Sequence, residues 1–126
     1  MDAQGDRTTS AEIFDPRTGK WTQTGSMTAA RSEVEYASVL LPDGRVLVPG
    51  GYTAPSTPVS SSDLYDPRTG MWTDSGDMID FLGKSVVRAG HSSIVLRGNR
   101  GVLVMGGLGL DDKTATASVD IAVPTH

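Results

Sequence analysis

No cysteine occurs among the 126 residues, which excludes disulfides, thiolate nucleophiles and every cysteine-based metal site. That absence leaves the compartment open, because a cysteine-free chain tolerates either redox environment. Long hydrophobic runs are also missing. None approaches the roughly 18 residues of a membrane-spanning helix, so no membrane partner is expected. The opening Met1-Asp2-Ala3-Gln4-Gly5-Asp6 has neither a basic nor an apolar stretch, so no secretory signal is expected in this sequence. Basic residues nowhere form a block and the net charge is −4, which argues against nucleic acid as a partner. Aromatic residues make up only 6%.

Glycine and proline are abundant instead. Fifteen Gly and seven Pro exceed the background usage of roughly 7% and 5%. That composition is poor material for long helices and suits short strands joined by tight turns.

The chain also repeats itself. Residues 10–27 read SAEIFDPRTGKWTQTGSM and residues 61–78 read SSDLYDPRTGMWTDSGDM, an offset of 51 with ten of 18 positions identical. Val46-Leu47-Val48-Pro49-Gly50-Gly51 returns as Val102-Leu103-Val104-Met105-Gly106-Gly107, at an offset of 56. The extra length lies mainly in Ile79–Val87. A weaker third echo of the first element follows at Ser118–Pro124.

Each repeat divides into four strands, a to d. Ala37–Leu41 is strand a, and Asp43-Gly44 after it suits a type I′ hairpin turn. Arg45–Pro49 is strand b, a continuous apolar run of the kind packed on both faces. A loop at 51–62 leads to strand c at Asp63–Tyr65. Asp66-Pro67-Arg68-Thr69-Gly70 is a turn in which Pro fixes φ, Asp bonds the backbone ahead and Gly takes the left-handed position. Strand d follows with Trp72. The next copy places a at Ser92–Leu96 and b at Gly101–Met105.

This arrangement resembles the kelch repeat of β-propellers, in its bacterial and galactose-oxidase-like form, over residues 10–123. The resemblance implies an all-β fold of four-stranded antiparallel blades forming a partial propeller of about 2.5 repeats. Its pieces are c–d strands at 10–27, a full blade at 28–78 and a–b–c strands at 79–123. It further implies that Gly50, Gly51, Gly106 and Gly107 let neighbouring backbones approach closely. Phe14, Trp21, Tyr65 and Trp72 would fill the wedge between blades.

Several residues are candidates for a site. Arg31 and Arg88 open strand a in the two copies. In the kelch family an arginine near this position can sit where the d–a and b–c loops meet, where a guanidinium suits an acidic group. The alternative is a contact inside or between blades. His91 belongs to the family's Arg-x-x-His form, either as a site residue or as a hydrogen-bonded structural histidine. Two histidines cannot supply a three-ligand zinc site. Glu33 and Glu35 flank Val34 in the d–a segment, and Asp111-Asp112 lie in the b–c loop 107–117. Such pairs serve as binding carboxylates or are simply solvated. No metal and no cofactor is expected. Without cysteine, the Cys–Tyr crosslink that the galactose-oxidase resemblance would imply cannot form in this chain.

The expected function is therefore a non-enzymatic module presenting d–a and b–c loops for protein or glycan contact. The alternative is a fragment of a carbohydrate-active or oxidase-like propeller whose catalytic residues lie in other blades. A propeller needs typically 4–8 blades to close. The missing blades come from a longer parent, or from other copies in a ring-completing dimer or trimer. In such a ring, Ala11–Thr24 would complete the blade begun by Ser92–Met105 of another copy. An open stack would expose two apolar faces.

Overall fold

The computed structural model describes residues 7–54, 57–80, 82–98, 100–109 and 119–122. Its strands run in chain order as β1 (Glu12–Asp15), β2 (Lys20–Gln23), β3 (Val39–Leu40), β4 (Val46–Pro49), β5 (Tyr52–Ala54) and β6 (Thr57–Pro58). They continue as β7 (Ser61–Asp66), β8 (Met71–Asp77), β9 (Ser92–Leu96), β10 (Gly101–Met105) and β11 (Val119–Ala122). All pairings are antiparallel, and no helix occurs among the described residues. The fold is a partial kelch-type propeller.

Three sheets correspond to three successive blades. The complete blade has the order β3-β4-β7-β8; the one before it is the hairpin β1-β2, and the one after it is β11-β10-β9. Equivalent residues keep equivalent partners. Val48 lies opposite Asp63 in the complete blade, and Val104 lies opposite Asp120 in the last.

The two Asp-Pro-Arg-Thr-Gly turns are nearly superimposable in their chemistry. Asp15 and Asp66 each accept the amide N–H of the arginine two residues on at 2.9 Å. Gly19 and Gly70 both close their turns at φ 71°, where a Cβ would be strained. Arg17 and Arg68 also reach back to those carboxylates, which holds both aspartates below the ordinary carboxylate range.

Two local details differ from the sequence reading. At Asp43-Gly44 only Gly44 has a positive φ, so the turn is not type I′. Gly44 N–H instead donates to the Leu41 carbonyl at 3.0 Å, and the Asp43 carboxylate takes the Arg45 amide at 3.0 Å. Pro42 thus starts an ordinary turn that Gly44 closes in the left-handed region, the three-residue form of a hairpin loop. The stretch 51–62, read as loop, holds the small β5–β6 ribbon, with Tyr52 opposite Pro58. That ribbon is tied down by Ser32 and Tyr52, which exchange backbone hydrogen bonds of 3.0 and 3.1 Å.

The core lies between the complete blade and the last one. Leu41, Leu47, Met78, Val102 and Val104 form it, with Val39, Leu64 and Val95 packed against it. Burying a side chain of this kind contributes roughly 1.5–3 kcal/mol. At the inner edge, Ser93 N–H donates to the Tyr36 carbonyl at 3.1 Å, joining the beginnings of the two a strands. Among the described residues the face of the first hairpin has no such cover, and Ile13 and Phe14 are exposed.

Candidate functional site

The arginines that open strand a point into the protein. Arg31 and Asp63 form an ion pair of 2.9 Å with neither side chain exposed at all. The same guanidinium donates to the Gly50 carbonyl at 2.7 Å, to the Ser61 carbonyl at 2.8 Å and to Ser61 Oγ at 3.0 Å. Asp63 Oδ1 takes the N–H and hydroxyl of Thr28 at 3.1 and 2.6 Å. Arg31 thus clasps the d–a segment to strands b and c of one blade. Arg88 is fully buried and donates to the Gly106 carbonyl at 2.7 Å, the counterpart of the Gly50 contact one repeat later. A ligand-facing role for either arginine gives way to the internal alternative, because a charge this deeply buried has to be satisfied inside the protein.

His91 is buried as well, at 1% exposure. It stands where two Gly-Gly corners meet the d–a segment. A Cβ on Gly50 would lie 2.6 Å from the Arg88 carbonyl oxygen and 2.9 Å from His91 Cε1. One on Gly107 would lie 2.6 Å from the Ala89 carbonyl oxygen and 2.8 Å from His91 Cβ. Gly51 is similarly close to Val34 and Ser32, whereas a Cβ on Gly106 would meet nothing within 4 Å. Burial pushes the imidazole pKa down to about 4; the Pro49 carbonyl opposes the shift and the Arg88 charge adds to it. Neither ring nitrogen makes a hydrogen bond of good geometry among the described residues. His91 thus sits neutral and buried in the seam between blades.

What does face solvent is the end of the molecule where d–a segments and b–c loops converge. Backbone bridges tie Ser32 to Tyr52, Val59 to Arg88 and Ala89 to Leu108. Gly90 N–H donates to the Glu33 carbonyl at 3.2 Å, so the d–a segments of two blades are joined directly. On this base Glu33 and Glu35 are exposed, and Tyr36 stands out with 74% of its surface free. Glu33 is the one non-glycine residue with positive φ among those described, at 57°. Nearby, Arg7 donates to Ser32 Oγ at 2.7 Å and lies 5.9 Å from the Tyr52 ring centre, a cation–π distance.

Tyr36 and Arg7 escaped the sequence reading. The signal for Tyr36 was the d–a segment, two residues longer in the first copy. Ser32 exchanges backbone bonds with Tyr52 as Ala89 does with Leu108, and the corner glycine lies against Val34 in one blade as against His91 in the next, so Val34 stands where His91 stands. Because Val39 matches Ile94 in register, the two extra residues fall between Val34 and Val39, the stretch that holds the exposed Tyr36. Arg7 carried no signal, because it lies ahead of the repeated stretch.

The remaining candidates divide cleanly. Asp111 and Asp112 lie outside the described residues. Among the described residues no group of three or more His, Cys, Asp or Glu could hold a metal ion. The aromatic pairs keep one geometry, with ring centres 5.2 Å apart for Phe14–Trp21 and 5.1 Å for Tyr65–Trp72. Their surroundings differ: Tyr65 is buried and Trp72 half-buried, whereas Phe14 and Trp21 are 47% and 69% exposed. The wedge expected around Phe14 and Trp21 is therefore open, because the strands that cover Tyr65 have no counterpart beside Phe14 among the described residues.

The comparisons with known proteins agree with the fold. The kelch motif matches residues 1–28. Among solved structures, the chain is similar to a fungal alcohol oxidase of the AA5 family in complex with copper, with a TM-score of 0.69 and 20% identity. That likeness covers 95% of this chain and 26% of the oxidase, so the sequence spans about a quarter of that protein's length. No curated protein matches. At this identity the likeness bears on the fold alone.

Proposed function

From the premise that the chain is a run of kelch-type propeller blades, we propose that it is a non-enzymatic interaction module. Its contact surface is the end where d–a segments and b–c loops converge, and its partner is a protein or a glycan. One observation carries this reading. Glu33, Glu35 and Tyr36 stand exposed on a base tied by backbone bridges, while the arginines and the histidine that could do chemistry are buried. Loops held by a rigid scaffold are where recognition usually resides. An exposed tyrosine supplies a flat face for a sugar ring or a side chain, and the carboxylates supply acceptors for hydroxyl or cationic donors.

The test is a glycan array together with a panel of immobilised cationic peptides, probed with the native chain and with Tyr36→Ala and Glu33→Ala variants. The reading expects at least one saturable ligand whose binding drops tenfold or more in both variants. Binding untouched by both substitutions would place the contact surface elsewhere.

A second reading is favoured by the likeness to a copper-bound alcohol oxidase. Under it the chain is part of an oxidase-like or carbohydrate-active propeller whose catalytic residues lie in blades outside this sequence. Copper-dependent oxidation of alcohols by a longer polypeptide containing these blades would support it.

A further inference from the structure

One stretch of the chain departs from its own repeat. Arg31 follows Met27 at the fourth residue, whereas Arg88 follows Met78, the counterpart of Met27, at the tenth. The extra residues form a narrow hairpin over 78–86. Ile79 and Ser85 pair across it, Asp80 N–H donates to the Lys84 carbonyl at 2.8 Å and Val86 N–H to the Met78 carbonyl at 2.8 Å. Gly83, at φ 80°, closes the tip and donates its N–H to the Asp80 carbonyl at 2.9 Å.

This hairpin is rooted in the loop end of the protein. Met78 N–H donates to the Ser60 carbonyl at 2.8 Å and Arg88 N–H to the Val59 carbonyl at 3.3 Å, so both legs are bonded to the b–c loop of the complete blade. Met78 belongs to the core and Arg88 is fully buried. Beyond those anchors, Ile79 is 52% and Leu82 66% exposed. A singly exposed aliphatic residue is ordinary surface. Two of them on one projecting turn are set apart by the charges around them. Asp80 Oδ1 accepts the amide N–H groups of Leu82 at 2.8 Å and Lys84 at 3.0 Å, and Asp77 Oδ2 accepts the Ser85 hydroxyl at 2.8 Å. Both carboxylates are thereby engaged within the hairpin. Lys84 is exposed and forms no ion pair among the described residues.

The tip therefore offers two aliphatic side chains beside one free ammonium group. Its complement is an apolar pocket with a carboxylate at the rim, and that is a protein surface. A sugar is held by concave sites with convergent polar groups, which a convex aliphatic tip does not supply. The net charge of −4 opposes an anionic lipid surface. We infer that the hairpin over 78–86 docks into a partner protein, Ile79 and Leu82 entering an apolar pocket and Lys84 meeting a carboxylate at its rim. Anchors of this kind in a desolvated pocket carry most of an interface's binding energy. The inference rests on the loop-end reading and narrows the partner there to a protein.

The probe is a phage-displayed library of disulfide-cyclised peptides selected on the full chain. The selected peptides are expected to combine aromatic or aliphatic residues with Asp or Glu, and to cause saturable NMR shifts at 79–80 and 82–85. Leu82→Ser and Lys84→Glu each weaken their binding at least tenfold while the thermal midpoint stays unchanged, because both side chains are exposed. Exchanging the peptide's acidic residue for lysine restores binding to the Lys84→Glu chain. Peptides that respond to Tyr36→Ala but not to Leu82→Ser would overturn the inference and leave the loop-end reading standing. Peptides indifferent to Tyr36→Ala, Glu33→Ala and both hairpin substitutions would overturn the two together. Co-sedimentation of the chain with phosphatidylcholine–phosphatidylserine vesicles, lost in Leu82→Ser, would make a lipid surface the occupant and overturn the inference equally.

Discussion

The hairpins β1–β2 and β7–β8 are one motif in two settings. Their turns use the same aspartate bonds and the same glycine conformation, and their aromatic pairs are within 0.1 Å in spacing, at 5.2 and 5.1 Å. Yet Tyr65 is 7% exposed and Phe14 47%. Local sequence therefore fixes the shape of the hairpin, while burial depends on what lies beside it. In the complete blade, β3, β4 and the Arg31 clasp supply that cover.

The largest separation between the two settings is expected at the acidic position. Asp63→Ala leaves the Arg31 guanidinium buried without its carboxylate, which typically costs 3–5 kcal/mol, that is, about 3–5 kcal/mol here. Glu12→Ala, on an exposed strand, should change stability by less than about 0.5 kcal/mol. Urea unfolding of both variants checks this, and equal losses would erase the distinction between the blades.

A comparably large contrast lies within the Gly-Gly corners. Gly50→Ala forces a Cβ to 2.6 Å from the Arg88 carbonyl oxygen at a φ of 68°. Gly106→Ala has a φ of 74° but nothing within 4 Å. The second change should cost about 1–2 kcal/mol, the strain of a left-handed alanine, and the first clearly more. Matching unfolding midpoints would show that the seam opens easily at Gly50.

The seam should also respond to acid. His91 has a pKa near 4 in the folded protein and about 6.5 unfolded. The unfolded chain therefore takes up the proton first, and stability is lost as pH falls from about 6.5 towards 4. The full difference is about 3 kcal/mol, from roughly 1.4 kcal/mol per pH unit. A His91→Leu variant should lose that slope between pH 6.5 and 4.5. If the slope survives the substitution, another group carries it.

The smallest contrast is aromatic. Trp72 donates its indole N–H to Thr24 Oγ1 at 3.1 Å, bridging two blades, and is half-buried. Trp72→Ala should cost about 2 kcal/mol, less than the roughly 3–5 kcal/mol of a fully buried aromatic. Trp21→Ala should cost less than about 1 kcal/mol, as for an exposed residue. Thermal melts of the two variants measure the difference.

Much of this fold was legible because the repeat carries it. Strands Ser92–Leu96 and Gly101–Met105 could be bounded by their apolar runs and flanking turn residues, and the Asp-Pro turns by their side-chain chemistry. The β5–β6 ribbon was not legible. Its pairing depends on Tyr52 meeting Ser32, twenty residues earlier, and no local period records such a contact. The site was less legible still. Sequence names Arg31, Arg88 and His91 as polar residues at loop ends, but only the assembled blades show their side chains turned inward. Exposure of Tyr36 follows from a two-residue difference in loop length, visible in the sequence but without meaning until the strands are in register.

Native-state hydrogen exchange comparing β1 with β7 tests the central claim most directly. If cover from the half-blade β3–β4 is what separates the copies, the amides of Leu64 and Tyr65 should exchange only through global unfolding. Those of Ile13 and Phe14 should open locally, at least a hundredfold faster. Equal protection at both hairpins would contradict the account, because the first hairpin would then hold its place without the strands that bury the second.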